Sequence, residues 1–226
     1  MCRPRQIAPS VLSADFGRLD EEVRAVTAAG ADWLHLDVMD GHFVPNLTIG
    51  PGIVAAIRRA TTLPLDVHLM ITDPARYAPR FIEAGADWVS IHHETCPDPQ
   101  ALIADIRARG ARPAMAINPE TPVAAVAGAA AELDMLLVMS VHPGFGGQGF
   151  IADTLPKLEE ARRLRERLGA HFLIEVDGGI TTENVGAVAA AGADVIVAGT
   201  AVFRAPDYAA AITAMRRKIT ETQAST

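Results

Sequence analysis

Two histidines and two aspartates interrupt segments that would otherwise read as apolar strands. The segment 33–41 is WLHLDVMDG, so His35, Asp37 and Met39 alternate and share one face of a strand. The segment 65–70 is LDVHLM, which puts His68 and Met70 on one face in the same way. The segment 173–179 is LIEVDGG and places Asp177 at the C-terminal end of a third strand. If these faces point into one interior, His35, Asp37, His68 and Asp177 converge, and two imidazoles with two carboxylates suit a divalent metal. Singly, each has an ordinary explanation. A strand histidine is more often a satisfied core residue than a ligand, and an aspartate at a strand end often caps the next turn. The combination argues otherwise, because charges interrupting adjacent strands at one height are buried and need partners.

A second group of residues suits an anion. Val141-His142-Pro143-Gly144-Phe145-Gly146-Gly147-Gln148-Gly149 follows one strand pattern, Asp177-Gly178-Gly179 ends another, and Ala198-Gly199-Thr200 ends a third. Glycines let backbone N–H groups approach an anion closely, and helix N-termini favour negative charge. No lysine or arginine lies in these three segments, so a phosphate there would be held mainly by backbone amides. Gly144, Gly146 and Gly149 also match the G-x-G-x-x-G spacing of dinucleotide sites. They come late in the chain, without an acidic ribose partner on a following strand, which argues against that use. The only lysines, Lys157 and Lys218, fall within predicted helices, so Schiff-base chemistry lacks a nucleophile at a strand end.

An internal repeat shows what positions these groups. Ala-Ala-Gly-Ala-Asp-Trp at 28–33 returns as Glu-Ala-Gly-Ala-Asp-Trp at 83–88 and as Ala-Ala-Gly-Ala-Asp-Val at 190–195. In each copy an amphipathic run precedes the glycine and a β-rich run follows the aspartate, so the phrase reads as helix, stop, strand. Extending the pattern predicts strands at 6–12, 33–38, 64–70, 88–92, 113–117, 135–141, 172–177 and 194–199. Helices are predicted at 15–29, 51–60, 74–84, 99–109, 122–132, 156–168, 182–191 and 207–219. Such alternation implies parallel strands with right-handed crossovers. Eight units make an α/β protein of the (β/α)₈ TIM-barrel type, expected as one domain over residues 1–226. A barrel of this kind carries its active site at the C-terminal ends of the strands, often with a phosphate site after strands 7 and 8. A doubly wound open sheet is the main alternative.

Composition narrows the function classes. Half of the 226 residues are hydrophobic and 5% are aromatic, so aliphatic side chains must fill a large core. The net charge of −7 argues against nucleic acid and anionic membrane as partners. Arg162, Arg163, Arg165 and Arg167 are interleaved with Glu159, Glu160 and Glu166, which reads as a solvated helix face rather than a binding patch. Cys2 and Cys96 cannot make a disulfide framework, and no apolar run reaches membrane-spanning length. With no apolar signal core in MCRPRQIAPS, a cytoplasmic protein is the expectation.

Six segments together resemble the ribulose-phosphate 3-epimerase family. They are IAPSVLSAD (7–15), HLDVMDGHFVPNLTIGP (35–51), DVHLM (66–70), GFGGQGF (144–150), EVDGGI (175–180) and VAGTAVF (197–203), in the family's order. The resemblance implies interconversion of D-ribulose 5-phosphate and D-xylulose 5-phosphate by two-base proton transfer at C3 through an enediolate. It assigns Asp37 and Asp177 as the acid/base pair. It makes His35, Asp37, His68 and Asp177 the ligands of one divalent ion per subunit, Zn²⁺, Fe²⁺, Mn²⁺ or Co²⁺. It also puts Ser10 and His68 on the sugar, and Gly144, Phe145, Gly146, Gly147, Gly178, Gly179, Gly199 and Thr200 around the phosphate. Met39, Met70 and Met139 would line the reacting carbon, and a homo-oligomer is implied. Two positions depart from the family pattern: His142 stands where asparagine is usual, and Thr200 where serine is frequent. Rival readings are the same chemistry on a six-carbon phosphosugar, a barrel decarboxylase or lyase, and a non-catalytic phosphosugar-binding protein.

Overall fold

The computed structural model describes residues 4–96 and 98–224, and Cys2 lies outside them. Eight parallel strands form the sheet: β1 (Gln6–Pro9), β2 (Leu34–Met39), β3 (Leu65–Met70), β4 (Trp88–His92), β5 (Arg112–Ile117), β6 (Met135–Met139), β7 (Leu173–Asp177) and β8 (Val195–Ala198). Their order is β1-β8-β7-β6-β5-β4-β3-β2. The ends of that series meet where Ser10 bridges His35 in parallel and the Asp32 N–H donates to the Ile7 carbonyl at 3.0 Å, so the sheet curls into a nearly closed barrel. Around it lie α1 (Leu19–Ala28), α2 (Pro51–Ala60), α3 (Pro74–Glu83), α4 (Pro99–Ala108), α5 (Leu155–Leu168), α6 (Val185–Ala191), the one-turn α7 (Thr200–Phe203) and α8 (Tyr208–Ala224).

The repeated phrase is the joint of this architecture. Gly30, Gly85 and Gly192 adopt φ of +91°, +111° and +123°, left-handed values that glycine reaches at little cost, and there α1, α3 and α6 stop. The aspartate of each copy then caps the neighbouring strand. Asp32 accepts the Ile7 N–H at 2.7 Å, Asp87 the Leu65 N–H at 2.8 Å and Asp194 the Ile174 N–H at 3.0 Å. The next residue of the phrase turns inward. The tilted rings of Trp33 and Trp88 lie 4.7 Å apart and pack with Met135 and Val195, so a layer drawn from the residue before β2 and from β4, β6 and β8 plugs the barrel floor.

Several elements differ from the sequence expectation: α1 begins at Leu19 rather than residue 15, α6 at Val185 rather than 182, and α8 runs on to Ala224 rather than 219. The first strand ends at Pro9 rather than residue 12, because Val11–Ser13 turn into a 3₁₀ helix that brings Ser10 to the barrel mouth. Residues 122–132 are not an α-helix but two 3₁₀ turns, Val123–Val126 and Ala130–Glu132. Their apolar spacing of three fits that tighter coil: Val123, Val126 and Ala129 are buried on one side. The arginine-rich stretch in α5 is largely the solvated face expected, with Arg162–Glu166 at 3.0 Å and Arg163–Glu159 at 3.6 Å. Arg165 is the exception, turning in to pair with Asp194.

Candidate active site

The inward residues of β2, β3 and β7 bring four donors together at the C-terminal end of the barrel. His35 Nε2 lies 3.4 Å from Asp37 Oδ1 and 3.4 Å from His68 Nδ1. His68 Nδ1 is 3.5 Å from Asp37 Oδ1, and Asp177 Oδ2 is 3.9 Å from His35 and 4.0 Å from His68. Donors about 2.0–2.2 Å from one tetrahedral centre sit roughly 3.3–3.6 Å apart. These four atoms therefore fit a single divalent ion with little rearrangement, and nitrogen and carboxylate donors suit the transition metals named above.

The other nitrogen of His35 is tied down as a metal ligand's should be. Nδ1 meets Asp66 Oδ2 at 2.5 Å, so the proton there donates to Asp66 while Nε2 faces the cluster. Asp66 and Glu175 lie two residues before His68 and Asp177 on the same faces, one layer deeper. Both are fully buried, and neither is among the site residues expected from the sequence, although the alternation marks them.

Crowded charge separates the carboxyl groups. Burial disfavours ionised Asp37, yet His35 and His68 hold it below the usual carboxylate range. Burial and then the Asp37 charge push Asp177 up to about 7. Burial and then Asp66 push Glu175 well above its ordinary value. Burial would lower His35, but Asp37 and Asp66 outweigh it and raise it well above an ordinary imidazole, whereas His68 is lowered, chiefly by burial.

Above the cluster opens a cavity at the barrel mouth. Ser10, Asp37 and Asp177 reach it, and Ser10 Oγ donates to Asp37 Oδ2 at 2.6 Å. Met39, Met70 and Met139 form part of its wall. Gly144, Phe145, Gly146 and Gly147 after β6, Gly178 and Gly179 after β7, and Gly199 and Thr200 after β8 line the other side. His35 and His68 have no exposed surface and lie behind Asp37, so His68 reaches the cavity only through the cluster. Among the described residues no lysine or arginine lines this space. Ser13 and Gln148 line it too; both fall within segments quoted above, 7–15 and 144–150, though neither has a role assigned there.

The loops around the mouth are fastened to each other. Asn46 Nδ2 donates to the Gly144 carbonyl at 2.8 Å, joining the loop after β2 to the loop after β6. Gln148 Nε2 donates to the His142 and Phe145 carbonyls at 2.7 and 2.9 Å and holds the latter loop in shape. His142, the departure from the family pattern, faces solvent 3.3 Å from Glu120. Two glycines also serve packing. A Cβ on Gly178 would fall 2.8 Å from the Val141 backbone nitrogen, and one on Gly179 2.5 Å from that of Phe150.

Comparison with known proteins identifies the family. The sequence model of the ribulose-phosphate 3 epimerase family matches residues 6–203. Ribulose-phosphate 3-epimerase of Bacillus subtilis is 50% identical over 212 residues, spanning 93% of this chain and 98% of that protein. The Escherichia coli enzyme of the same name is 46% identical over 214 residues, spanning 94% and 95%. Among solved structures, 3-hexulose-6-phosphate synthase from Salmonella typhimurium superposes with a TM-score of 0.72 at 19% identity, covering 96% of this chain and 99% of that one. The 3-keto-L-gulonate-6-phosphate decarboxylase of Vibrio cholerae gives 0.73 at 15% identity, covering 98% and 99%. At such identities these two show the shared barrel alone.

Proposed function

The chain belongs to the ribulose-phosphate 3-epimerase family, an isomerase family, and on that footing we propose how its residues interconvert D-ribulose 5-phosphate and D-xylulose 5-phosphate. The observation that carries the reading is the pair Asp37 and Asp177. They come from strands that β1 and β8 separate, face one cavity, and are driven to opposite sides of the ordinary carboxylate range. Carboxyls held apart in this way suit one base and one acid.

Asp37 takes the C3 proton from one face of the ketopentose, and Asp177 returns a proton to C3 from the other. The reverse reaction exchanges their roles. Ser10 orients Asp37 through its 2.6 Å hydrogen bond. The three methionines provide a polarisable wall that neither gives nor takes protons at the reacting carbon. Backbone amides of the Gly144–Gly147 loop, of Gly178 and Gly179, and of Gly199 and Thr200 hold the phosphate, in the part of the barrel where phosphate sites recur. A phosphate gripped there keeps the intermediate from turning over, which is why inversion needs two acid/base groups.

His35, Asp37, His68 and Asp177 would hold the divalent ion. When bound, it supplies Lewis-acid stabilisation of the negative charge that develops on the oxygens next to C3. The same reading takes the protein to be a cytoplasmic homo-oligomer with one ion per subunit, Zn²⁺, Fe²⁺, Mn²⁺ or Co²⁺. Metal analysis of the purified protein and light scattering test those two points. Among the described residues no helix is long and apolar enough to cross a membrane.

Turnover in D₂O tests the mechanism. Product carrying deuterium at C3, with exchange suppressed in both Asp37→Asn and Asp177→Asn, is the expected result. A folded, metal-loaded protein that neither exchanges nor epimerises would overturn it. Faster turnover of a six-carbon phosphoketose would move the substrate.

A further inference from the structure

Behind His68 a line of hydrogen bonds continues away from the cavity. His68 Nε2 lies 2.8 Å from His92 Nε2, and His92 Nδ1 lies 3.1 Å from Glu94 Oε2. The other oxygen of Glu94 accepts the Asn118 N–H at 2.9 Å and the Thr121 hydroxyl. His92 is fully buried, and Phe43 packs on its ring at a centroid distance of 4.8 Å. Glu94 sits beyond β4 in a 3₁₀ turn, remote from the cavity lining.

The polarity of this line follows from its outer end. Glu94 is a carboxylate: burial would raise it, but bonds from His92, Thr121 and Asn118 hold it at about 2. A carboxylate only accepts, so His92 Nδ1 carries the proton and donates to it. A neutral His92 then has a lone pair on Nε2. Two facing Nε2 atoms 2.8 Å apart need one donor and one acceptor, so His68 donates from Nε2. That leaves the lone pair of His68 on Nδ1, the atom 3.5 Å from Asp37 and 4.0 Å from Asp177.

We propose that Glu94 and His92 are positioning residues that fix His68 in the tautomer presenting its Nδ1 lone pair to the metal cluster. The two ligand histidines are thereby set from opposite sides. Asp66 fixes His35 through Nδ1, and the His92–Glu94 pair fixes His68 through Nε2. The proposal rests on the metal reading above, and the measurements separate the two.

Co²⁺ affinity, read by chelator competition and by the visible spectrum of the loaded protein, is compared for wild type, His92→Phe, His92→Gln and Glu94→Gln. Phenylalanine keeps the ring and removes the acceptor. Glutamine at 92 keeps an acceptor oxygen near the position of Nε2. Glutamine at 94 cannot serve His92, Asn118 and Thr121 together, because its amide nitrogen faces a donor in either orientation. Partners that hydrogen-bond a metal ligand in this way change metal affinity about 10- to 100-fold. His92→Phe and Glu94→Gln are expected to lose about that much, His92→Gln to retain most of it, and all three to keep the circular dichroism of the fold. In the metal-free protein, ¹⁵N NMR of the imidazoles should place the His68 proton on Nε2 in wild type and redistribute it in Glu94→Gln. Wild-type protein that binds no Co²⁺ overturns the metal reading, and this proposal with it. Wild-type binding with unchanged affinity in Glu94→Gln and His92→Phe, or equal loss in His92→Phe and His92→Gln, overturns the proposal alone. If His92→Phe does not fold, Glu94→Gln and the NMR measurement decide.

Discussion

At the N-terminal end of the strands, Asp32, Asp87 and Asp194 each meet a backbone N–H and at least one arginine. Arg216 lies 2.7 Å from Asp32, Arg58 2.9 Å from Asp87, and Arg5 2.6 Å from Asp194, which Arg165 also contacts. At the C-terminal end, Asp37 and Asp177 crowd against two imidazoles, and among the described residues neither pairs with a guanidinium. The same residue type does opposite work at the two ends. Below, each of these carboxylates is matched by positive charge and by the N–H of a neighbouring strand, so its value is stability. Above, two carboxylates compete within one buried cluster, and the competition appears as an Asp177 raised to about 7. A barrel locks its lower rim and leaves unresolved charge at its upper rim, where substrate and metal can use it.

Neutralising one carboxylate at each end should separate the two kinds of work. The largest effect is expected at the mouth. Asp37→Asn and Asp177→Asn should each lower kcat by about 10²–10⁴-fold with KM far less changed. A steady-state comparison on ribulose 5-phosphate, with circular dichroism to confirm folding, reads this directly. An equal loss of kcat from Asp194→Asn would break the comparison.

Next in size is the lower rim. Asp194 is 3% exposed and faces two guanidinium groups, so Asp194→Asn leaves two cations short of a partner. We expect a cost of ~3 kcal/mol, a Tm lower by roughly 6–12 °C, and an unchanged kcat per folded molecule. Thermal denaturation followed alongside activity checks both halves of that statement.

A smaller effect sharpens the account of the upper rim. Asp177 is raised in the fold, so its contribution to the metal-free protein is fully present below about pH 4 and is lost as pH rises through about 7. Below pH 7 the group keeps a proton that a metal must displace. Metal affinity should therefore fall about tenfold or more for each pH unit below 7, with the raised His35 adding to the slope. Metal titration between pH 5.5 and 8 measures it, and a flat profile would remove the difference drawn between the two ends.

The smallest change is expected at Asp87, whose side chain is half exposed beside Arg58. Asp87→Asn keeps an acceptor for the Leu65 N–H and loses only a screened ion pair. It should cost ~1 kcal/mol or less in chemical denaturation.

Much of this contrast is legible in the chain. The repeated Gly-Ala-Asp phrase marks helix ends and strand starts because glycine alone turns there cheaply. Its aspartates can be located from the sequence, but their arginine partners come from distant positions. Arg5 and Asp194 are 189 residues apart, a pairing that only the docking of β1 beside β8 creates. The alternation of His35 with Asp37, and the height of His68 and Asp177, groups the four cluster residues from strand periodicity alone. The same alternation marks Asp66 and Glu175, although nothing local says which ligand each one serves. His92 and Glu94 are harder to foresee, since His92-His93-Glu94 offers two candidate imidazoles and only the register of β4 turns His92 inward. The stretch 122–132 misleads through its alanines. Helix propensity favours them, whereas burial of Val123, Val126 and Ala129 at intervals of three selects the 3₁₀ form.

Local and periodic properties are written in the chain itself: where helices stop, which strand residues share a face, and which residue types are available for acid/base and ligand chemistry. Closing the sheet settles the rest. It sets which buried carboxyl is low and which is high, which nitrogen of each histidine faces the cluster, and whether a glycine serves an anion or a close backbone contact. The division is one of range. Propensity and alternation act over a few residues, whereas desolvation, charge coupling and hydrogen-bond polarity depend on groups that meet only when strands distant in sequence assemble.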